Sequence, residues 1–160
     1  MGTANDVLKN ALANEVKAAA FYKLASEITP DDEARMLFLE LAGMEEDHAR
    51  EFLQKADGTE LLDGFDAEAY LTELESNMHD VAKSSHSDML KSGDMGAVLD
   101  FAIGMEAHAR DTYQVMVNMV ENPSIKKFCQ VLADEEESHR KILEQAKTSL
   151  TMDEEDRPGL

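Results

Sequence analysis

A single cysteine, no tryptophan, three prolines and fewer than half as many basic as acidic side chains mark this 160-residue chain by what it has little of. With Cys129 alone, no disulfide can close within one chain and no four-cysteine iron or zinc centre fits. The expectation for Cys129 is a small buried side chain. Lys and Arg number 15 against 34 Asp and Glu, a formal net charge of −19. Nucleic acid or an anionic membrane surface would repel such a chain at long range, so neither is expected as a partner. No run of about 18 apolar residues exists to cross a bilayer. The N-terminal MGTANDVLKN has neither a basic region nor a hydrophobic segment, which makes the cytoplasm the expected location.

What is present is helical periodicity in a chain that is 43% hydrophobic, too apolar and too regular for a disordered acidic polymer. Four segments carry it, roughly 4–28, 32–56, 94–121 and 124–149, each about 25 residues and so about 38 Å long. Thr29-Pro30-Asp31-Asp32 offers an N-cap, a first-turn proline and first-turn acids between the first two segments. Asn122-Pro123-Ser124 repeats the arrangement between the last two, without the acids. Each pair therefore predicts a tight antiparallel hairpin. Between the pairs, residues 57–93 begin Asp57-Gly58 and end Ser92-Gly93. They predict a long crossover with a short amphipathic helix near Asp66 to His79, carrying Ala69, Tyr70 and Leu74. The expectation is an all-α four-helix bundle over residues 1–149, followed by a mobile acidic tail over 150–160.

The chain repeats itself. ALANEVKAAAFY at 11–22 aligns with AIGMEAHARDTY at 102–113, and LAGMEEDHAR at 41–50 with LADEEESHRK at 132–141, both at an offset of 91 residues. One offset for two separate helices means a duplicated hairpin, its halves facing each other across a pseudo-twofold axis. At the repeated positions polar residues interrupt apolar stripes. The stripes run Leu8, Leu12, Glu15, Ala19, Tyr22 in the first segment and Phe38, Leu41, Glu45, His48, Phe52 in the second. In the third they run Leu99, Ile103, Glu106, Ala109 or Arg110, Tyr113, and in the fourth Phe128, Leu132, Glu136, His139, Leu143.

Four glutamates and two histidines thus point at one another across the middle of a bundle. Four bare carboxylates could not all stay ionised there, because desolvation and mutual repulsion raise their pKa values. Two divalent cations would cancel the four charges, and each Glu-x-x-His pair lies on one helix face with a nitrogen ligand to offer. One Glu from each of two helices plus Glu-x-x-His from each of the other two is the ligand set of carboxylate-bridged dimetal bundles. In a chain this rich in Glu, two Glu-x-x-His pairs alone carry little weight. The shared offset, the inward placement and the lone Glu in each partner helix are separate coincidences that disfavour plain surface charge. Carboxylate and imidazole suit iron and manganese alike, and the metal stays open on the residues.

Other residues have plainer readings. His108 falls off the site face, and His79 and His86 lie in the crossover, where solvated roles are expected. Tyr22 and Tyr113 follow the lone glutamates by two turns, placing them either as core residues with satisfied hydroxyls or as hydrogen-bond donors near the metals. The run Asp134-Glu135-Glu136-Glu137 is expected to be a solvated face with only Glu136 turned inward, and the ten methionines to be core filler.

The pattern E15…ExxH 45–48…E106…ExxH 136–139 resembles the ferritin-like superfamily, and most closely the rubrerythrin-like di-iron domain, over roughly residues 5 to 148. The resemblance implies a bundle with a left-handed crossover, often dimeric, whose two irons react with hydrogen peroxide or dioxygen. It implies Glu15, Glu45, His48, Glu106, Glu136 and His139 as metal ligands, with Glu45 and Glu136 bridging. Rubrerythrins carry an additional four-cysteine rubredoxin-like module that delivers electrons; with Cys129 alone, a separate electron-donor protein is implied. They also share an extra glutamate one turn before the third-helix ligand, where this chain has Ala102 and Ile103. A peroxide-reducing oxidoreductase is the first expectation, with a ferroxidase or iron-handling protein on the same ligands and a non-catalytic metal-binding or interaction protein as alternatives. A homodimer is expected from the apolar faces that a two-plus-two hairpin arrangement leaves.

Overall fold

The computed structural model describes residues 4–151, which form five α-helices, α1 (Ala4–Ile28), α2 (Asp32–Ala56), α3 (Ala67–Lys91), α4 (Met95–Met119) and α5 (Pro123–Thr151), and one 3-10 turn, Glu60–Leu62. There is no strand among the described residues. The helices α1 and α2 pair as one hairpin and α4 and α5 as the other, and the hairpins meet through α1 against α4 and α2 against α5. The outcome is the expected all-α four-helix bundle. The bounds of α1 and α2 are those the periodicity predicts.

Local chemistry sets the corners. Asp31 caps α2, its carboxylate accepting from the Ala34 amide at 2.9 Å, so Pro30 precedes the cap and is not in the first turn. Asn122 caps α5 by accepting from the Ser124 and Ile125 amides, and Pro123 occupies the first helical position as expected. The crossover turns at Gly58 and Gly93, whose φ angles of 78° and 76° suit only a residue without a Cβ.

The crossover helix α3 is as long as α1, 25 residues, where the sequence predicts a shorter one ending near His79. Its first half buries Ala67 and Leu71 and half-buries Tyr70 and Leu74, while Ala69 faces solvent. Beyond His79 the inward residues are Ala82 and Leu90 with His86 between them, too sparse and too polar to register as a stripe. α3 lies chiefly along α1 and touches α4 lightly. His86 is not a solvated side chain: it is half-buried, with its ring centroid 5.3 Å from Phe21 and 4.7 Å from Phe101. The α5 helix continues through Leu150 and Thr151 because Ala146 and Leu150 still pack on the core. The rest of the expected acidic tail, 152–160, lies outside the described residues.

The core consists of two apolar clusters. One gathers Leu8, Leu12, Phe52, Tyr113, Cys129 and Leu132, and the other Phe21, Tyr22, Phe38, Leu41, Leu99 and Leu143. Along each bundle helix the chain passes from one cluster to the other, and the crossing point is the polar position: Glu15, Glu45 with His48, Glu106, Glu136 with His139. Cys129 is fully buried, as expected. The methionines are not uniformly core: Met116 is buried, but Met36 is 73% exposed on α2.

Removing the cap by Asp31→Ala is expected to cost about 1 kcal/mol, whereas Phe38→Ala empties a fully buried site and is expected to cost about 3–5 kcal/mol. Urea unfolding of the two variants checks the order, and a smaller loss for Phe38→Ala contradicts the packing.

Candidate metal centre

All six residues singled out by the interrupted stripes converge at mid-bundle. Glu15, Glu45, Glu106 and Glu136 are at most 1% exposed, His48 is 5% and His139 is 6%. They fall into two groups, Glu15–Glu45–His48–Glu136 and Glu45–Glu106–Glu136–His139, each offering four ligand atoms within 4.8 Å of one another. Glu45 and Glu136 belong to both. These two groups are geometrically suited to bind a pair of metal ions.

The halves are related by the pseudo-twofold of the duplication. His48 Nδ1 lies 2.7 Å from Glu136 Oε1 on the opposite hairpin, and His139 Nδ1 lies 3.0 Å from Glu45 Oε1. The imidazole rings are nearly parallel, 7° apart, with centroids separated by 5.7 Å. Tyr22 donates its hydroxyl to Glu106 Oε1 at 2.6 Å, and Tyr113 donates to Glu15 Oε1 at 2.7 Å. Each tyrosine thus reaches across to the lone glutamate of the other half, which joins the two readings the sequence leaves open: both are core residues, and both hydrogen-bond the cluster. His108 is exposed and away from it, as expected.

The carboxylates are incompletely satisfied. One oxygen of each, Oε2 of Glu15, Glu45, Glu106 and Glu136, is buried and without a hydrogen-bond partner. An unpaired buried carboxylate oxygen is costly, and four in one place call for a cation. The spacings fit one. Metal-to-ligand bonds of about 2.0–2.2 Å hold ligand atoms roughly 3–4 Å apart. His48 Nδ1 lies 3.6 Å from Glu15 Oε2 and 3.7 Å from Glu45 Oε2, while His139 Nδ1 lies 3.7 Å from Glu106 Oε2 and 3.9 Å from Glu136 Oε2.

One functional contact escapes sequence reasoning. Glu135 is not merely solvated: its Oε2 lies 2.6 Å from His48 Nε2, although half of the side chain remains exposed. That contact fixes which imidazole nitrogen faces the cluster. Glu135 is off the apolar stripe, and only the pairing of α2 with α5 reveals it. The duplication does not repeat it, because the residue related to Glu135 is Met44.

Protonation follows from burial and mutual charge. Burial pushes the Glu136 carboxyl up to about 12, helped by the charge of Glu15 and by Glu106. Burial and then the charge of Glu15 hold Glu45 well above the ordinary carboxylate range. Burial opposes ionisation of Glu106 too, but the proximity of Glu136 and His139 and the hydrogen bond from Tyr22 outweigh it and its pKa is lowered. Burial disfavours a charged His48, yet the carboxylates of Glu136, Glu15 and Glu45 raise its pKa. His139 is raised in the same way, by Glu106 and then Glu136. Burial, then the charges of Glu106 and Glu15 respectively, keep Tyr22 and Tyr113 protonated far above 10.

Residues 97–158 match the family model described as rubrerythrin. That stretch holds Glu106, Glu136 and His139, and the internal repeat supplies their counterparts Glu15, Glu45 and His48 outside it. Comparison with curated proteins and with solved structures finds no match. The chain is thus rubrerythrin-like, an all-α bundle with a di-iron-type ligand cluster that matches the rubrerythrin family model over part of its length.

The raised carboxyls of Glu136 and Glu45 add stability that is complete below their ordinary 4.5 and drains away as the pH climbs toward the folded values. The raised histidines add stability that is complete below 6.5 and drains away above it, while the lowered Glu106 acts oppositely, on the acid side of 4.5. Metal-free protein is therefore expected to lose Tm between about pH 5.5 and about pH 8.5. The Tm gain on adding a divalent metal is expected to grow over the same interval, because binding displaces protons. Calorimetry at both pH values checks it, and a metal-free Tm that rises contradicts the proton-bearing cluster.

Proposed function

We propose that the protein is a non-haem di-iron carboxylate oxidoreductase that reduces hydrogen peroxide, or reacts with dioxygen, using electrons from a separate carrier protein. The observation that supports this most is the set of four buried carboxylates, each with one oxygen lacking a partner, grouped with two histidine nitrogens into two four-ligand sites. Glu15, Glu45, His48 and Glu136 would hold one iron and Glu45, Glu106, Glu136 and His139 the other. Glu45 and Glu136, common to both groups, would be shared between the two, and four negative charges would balance two divalent cations. The same ligands accept manganese.

A bound iron pair supplies two-electron redox chemistry at an O–O bond. The chain's own groups set the conditions for it. Glu135 accepts from His48 Nε2, so Nδ1 is the nitrogen that would face a metal once binding displaces its proton. Tyr22 and Tyr113 occupy Oε1 of Glu106 and Glu15, which reserves Oε2 of each for coordination. Leu12, Leu41, Leu99 and Leu132, all at most 1% exposed, keep bulk water from the cluster. Peroxide reduction to two waters consumes two electrons and two protons. The lone thiol, Cys129, is buried and its pKa is raised by burial to about 11, so it is no electron relay. The electrons come from outside the chain.

A ferroxidase reading uses the same six residues and is favoured by one feature: the turn before Glu106 carries buried Ala102 and half-buried Ile103, both apolar, where rubrerythrins resemble one another in an extra glutamate. In a homodimer, apolar residues exposed on α2 and α5, Met36, Leu39, Val131 and Ile142, would find cover. No described helix is long and apolar enough to cross a membrane.

Anaerobic titration of metal-free protein with Fe(II) is expected to saturate at two per chain, with Glu45→Ala and Glu136→Ala abolishing that stoichiometry and His108→Ala preserving it. Equal loss in all three contradicts the assignment. Stopped-flow oxidation of the loaded protein, faster with peroxide than with dioxygen, supports the peroxidase reading; the reverse order supports the ferroxidase.

A further inference from the structure

A cleft of about 500 Å³ opens between α1, α2 and α3 and ends on the cluster. Its floor is Glu15 and Glu45, two of the carboxylates whose Oε2 atoms are buried and without a partner. Next to the floor its walls include the small Ala19 and Ala20 from α1 and Ala49 from α2, and α3 lines the far side with Met78 and His79. Arg50 and Glu75 also line it, but their side chains are 61% and 44% exposed and meet only at 3.5 Å, a loose solvent-side contact between α2 and α3. Water takes about 30 Å³ in the liquid, so the space is ample for a hydrated ion or a peroxide molecule. Glu15 and Glu45 are each 1% exposed. The cleft therefore leads to the cluster without flooding it.

The duplicated half should carry a second such opening, and it does not have the residues for one. At the offset of 91, Ala19 corresponds to Arg110, Ala49 to Arg140, and Glu46, also at the cleft, to Glu137. These three interlock. Arg110 Nη1 donates to Glu137 Oε1 at 2.7 Å, and Arg140 donates through Nε to Glu137 Oε1 at 2.6 Å and through Nη2 to Oε2 at 2.9 Å. Arg140 Nη1 also reaches Glu144 at 2.6 Å. Both arginines stand four residues after a cluster glutamate, Glu106 and Glu136, the relation that Ala19 and Ala49 bear to Glu15 and Glu45. A one-turn step on a helix face places them over the cluster. Two alanines on one side and two ion-paired arginines on the other make the same architecture open once and closed once.

We infer that metal ions and small oxidants reach the cluster through the α1–α2–α3 cleft alone, and that the Arg110–Glu137–Arg140 bridge is the plug over the pseudo-equivalent opening. This rests on the dimetal reading of the cluster. It makes Ala19, Ala20 and Ala49 the residues whose size sets the rate of approach, and it makes the two arginines positioning residues with no ligand role.

The test is stopped-flow absorbance of Co(II) binding to metal-free protein, with the endpoint stoichiometry read from the same traces and the helix content checked by circular dichroism. Ala20→Phe and, independently, Ala49→Leu are expected to slow loading by about tenfold or more, because passage then waits on local opening of the helices. Both are expected to keep the endpoint at two per chain. Adding Arg110→Ala and Arg140→Ala to either is expected to restore the rate by unplugging the other side. Unchanged loading rates in both narrowed variants, with two Co(II) still bound, overturn the route alone, and so does a failure of the arginine substitutions to restore loading. Failure of the unsubstituted protein to bind two Co(II) overturns the dimetal reading itself, and the route with it.

Discussion

Four carboxylates buried within a few ångströms of one another are the constraint on which the rest of this structure depends. Left ionised and unpaired they would repel, and an isolated buried charge is among the costliest features a core can contain. The fold places one in each bundle helix, so no helix can leave the bundle without stranding the other three. It flanks the layer with an apolar cluster on either side and hands one oxygen of each lone glutamate to a tyrosine hydroxyl. Imidazole groups come from the opposite hairpin. What remains unsatisfied is one oxygen per carboxylate, all in the same small volume.

The duplication explains why the site is nearly symmetric and where it is not. The ligand positions, the tyrosines and the pairs Leu8/Leu99 and Leu41/Leu132 repeat at one offset. Around that shared centre the halves diverge: Glu135 orients His48 where Met44 stands in the other half, and the arginines of α4 and α5 replace the alanines of α1 and α2. The divergence follows from the crossover. With α3 lying along α1, among the described residues one side of the bundle has a fifth helix to shape a cleft and the other does not. The central chemistry needs two equivalent sites, but access does not.

Much of this was legible in the sequence because burial leaves a period. Glu15 and Glu106 stand out for breaking apolar stripes that resume four residues later, and the caps at Asp31 and Asn122 mark the hairpin corners by residue type. The bounds of α1 and α2 follow directly. The second half of α3 was not legible, since its inward residues are small or polar: Ala82, His86 and a final Leu90. Glu135 was invisible because its role depends on α2 packing beside α5, not on its own helix face. His86 was misjudged for the same reason, its neighbours Phe21 and Phe101 being far away in sequence. The arginine bridge could have been noticed as a mismatch within an otherwise good internal alignment. Its meaning as a plug needed the cleft opposite.

A ligand set of this kind specifies a metal pair more firmly than it specifies a reaction, because peroxide reduction, dioxygen reduction and iron oxidation all begin from the same six side chains. The central claim is therefore the pair itself. Crystals grown with Mn(II) and measured by anomalous scattering test it most directly. Two peaks about 3.5–4 Å apart, lying between Glu45 and Glu136 with Nδ1 of His48 and His139 at opposite ends, are the predicted result. A single central peak, or peaks confined to the acidic surface, would contradict it.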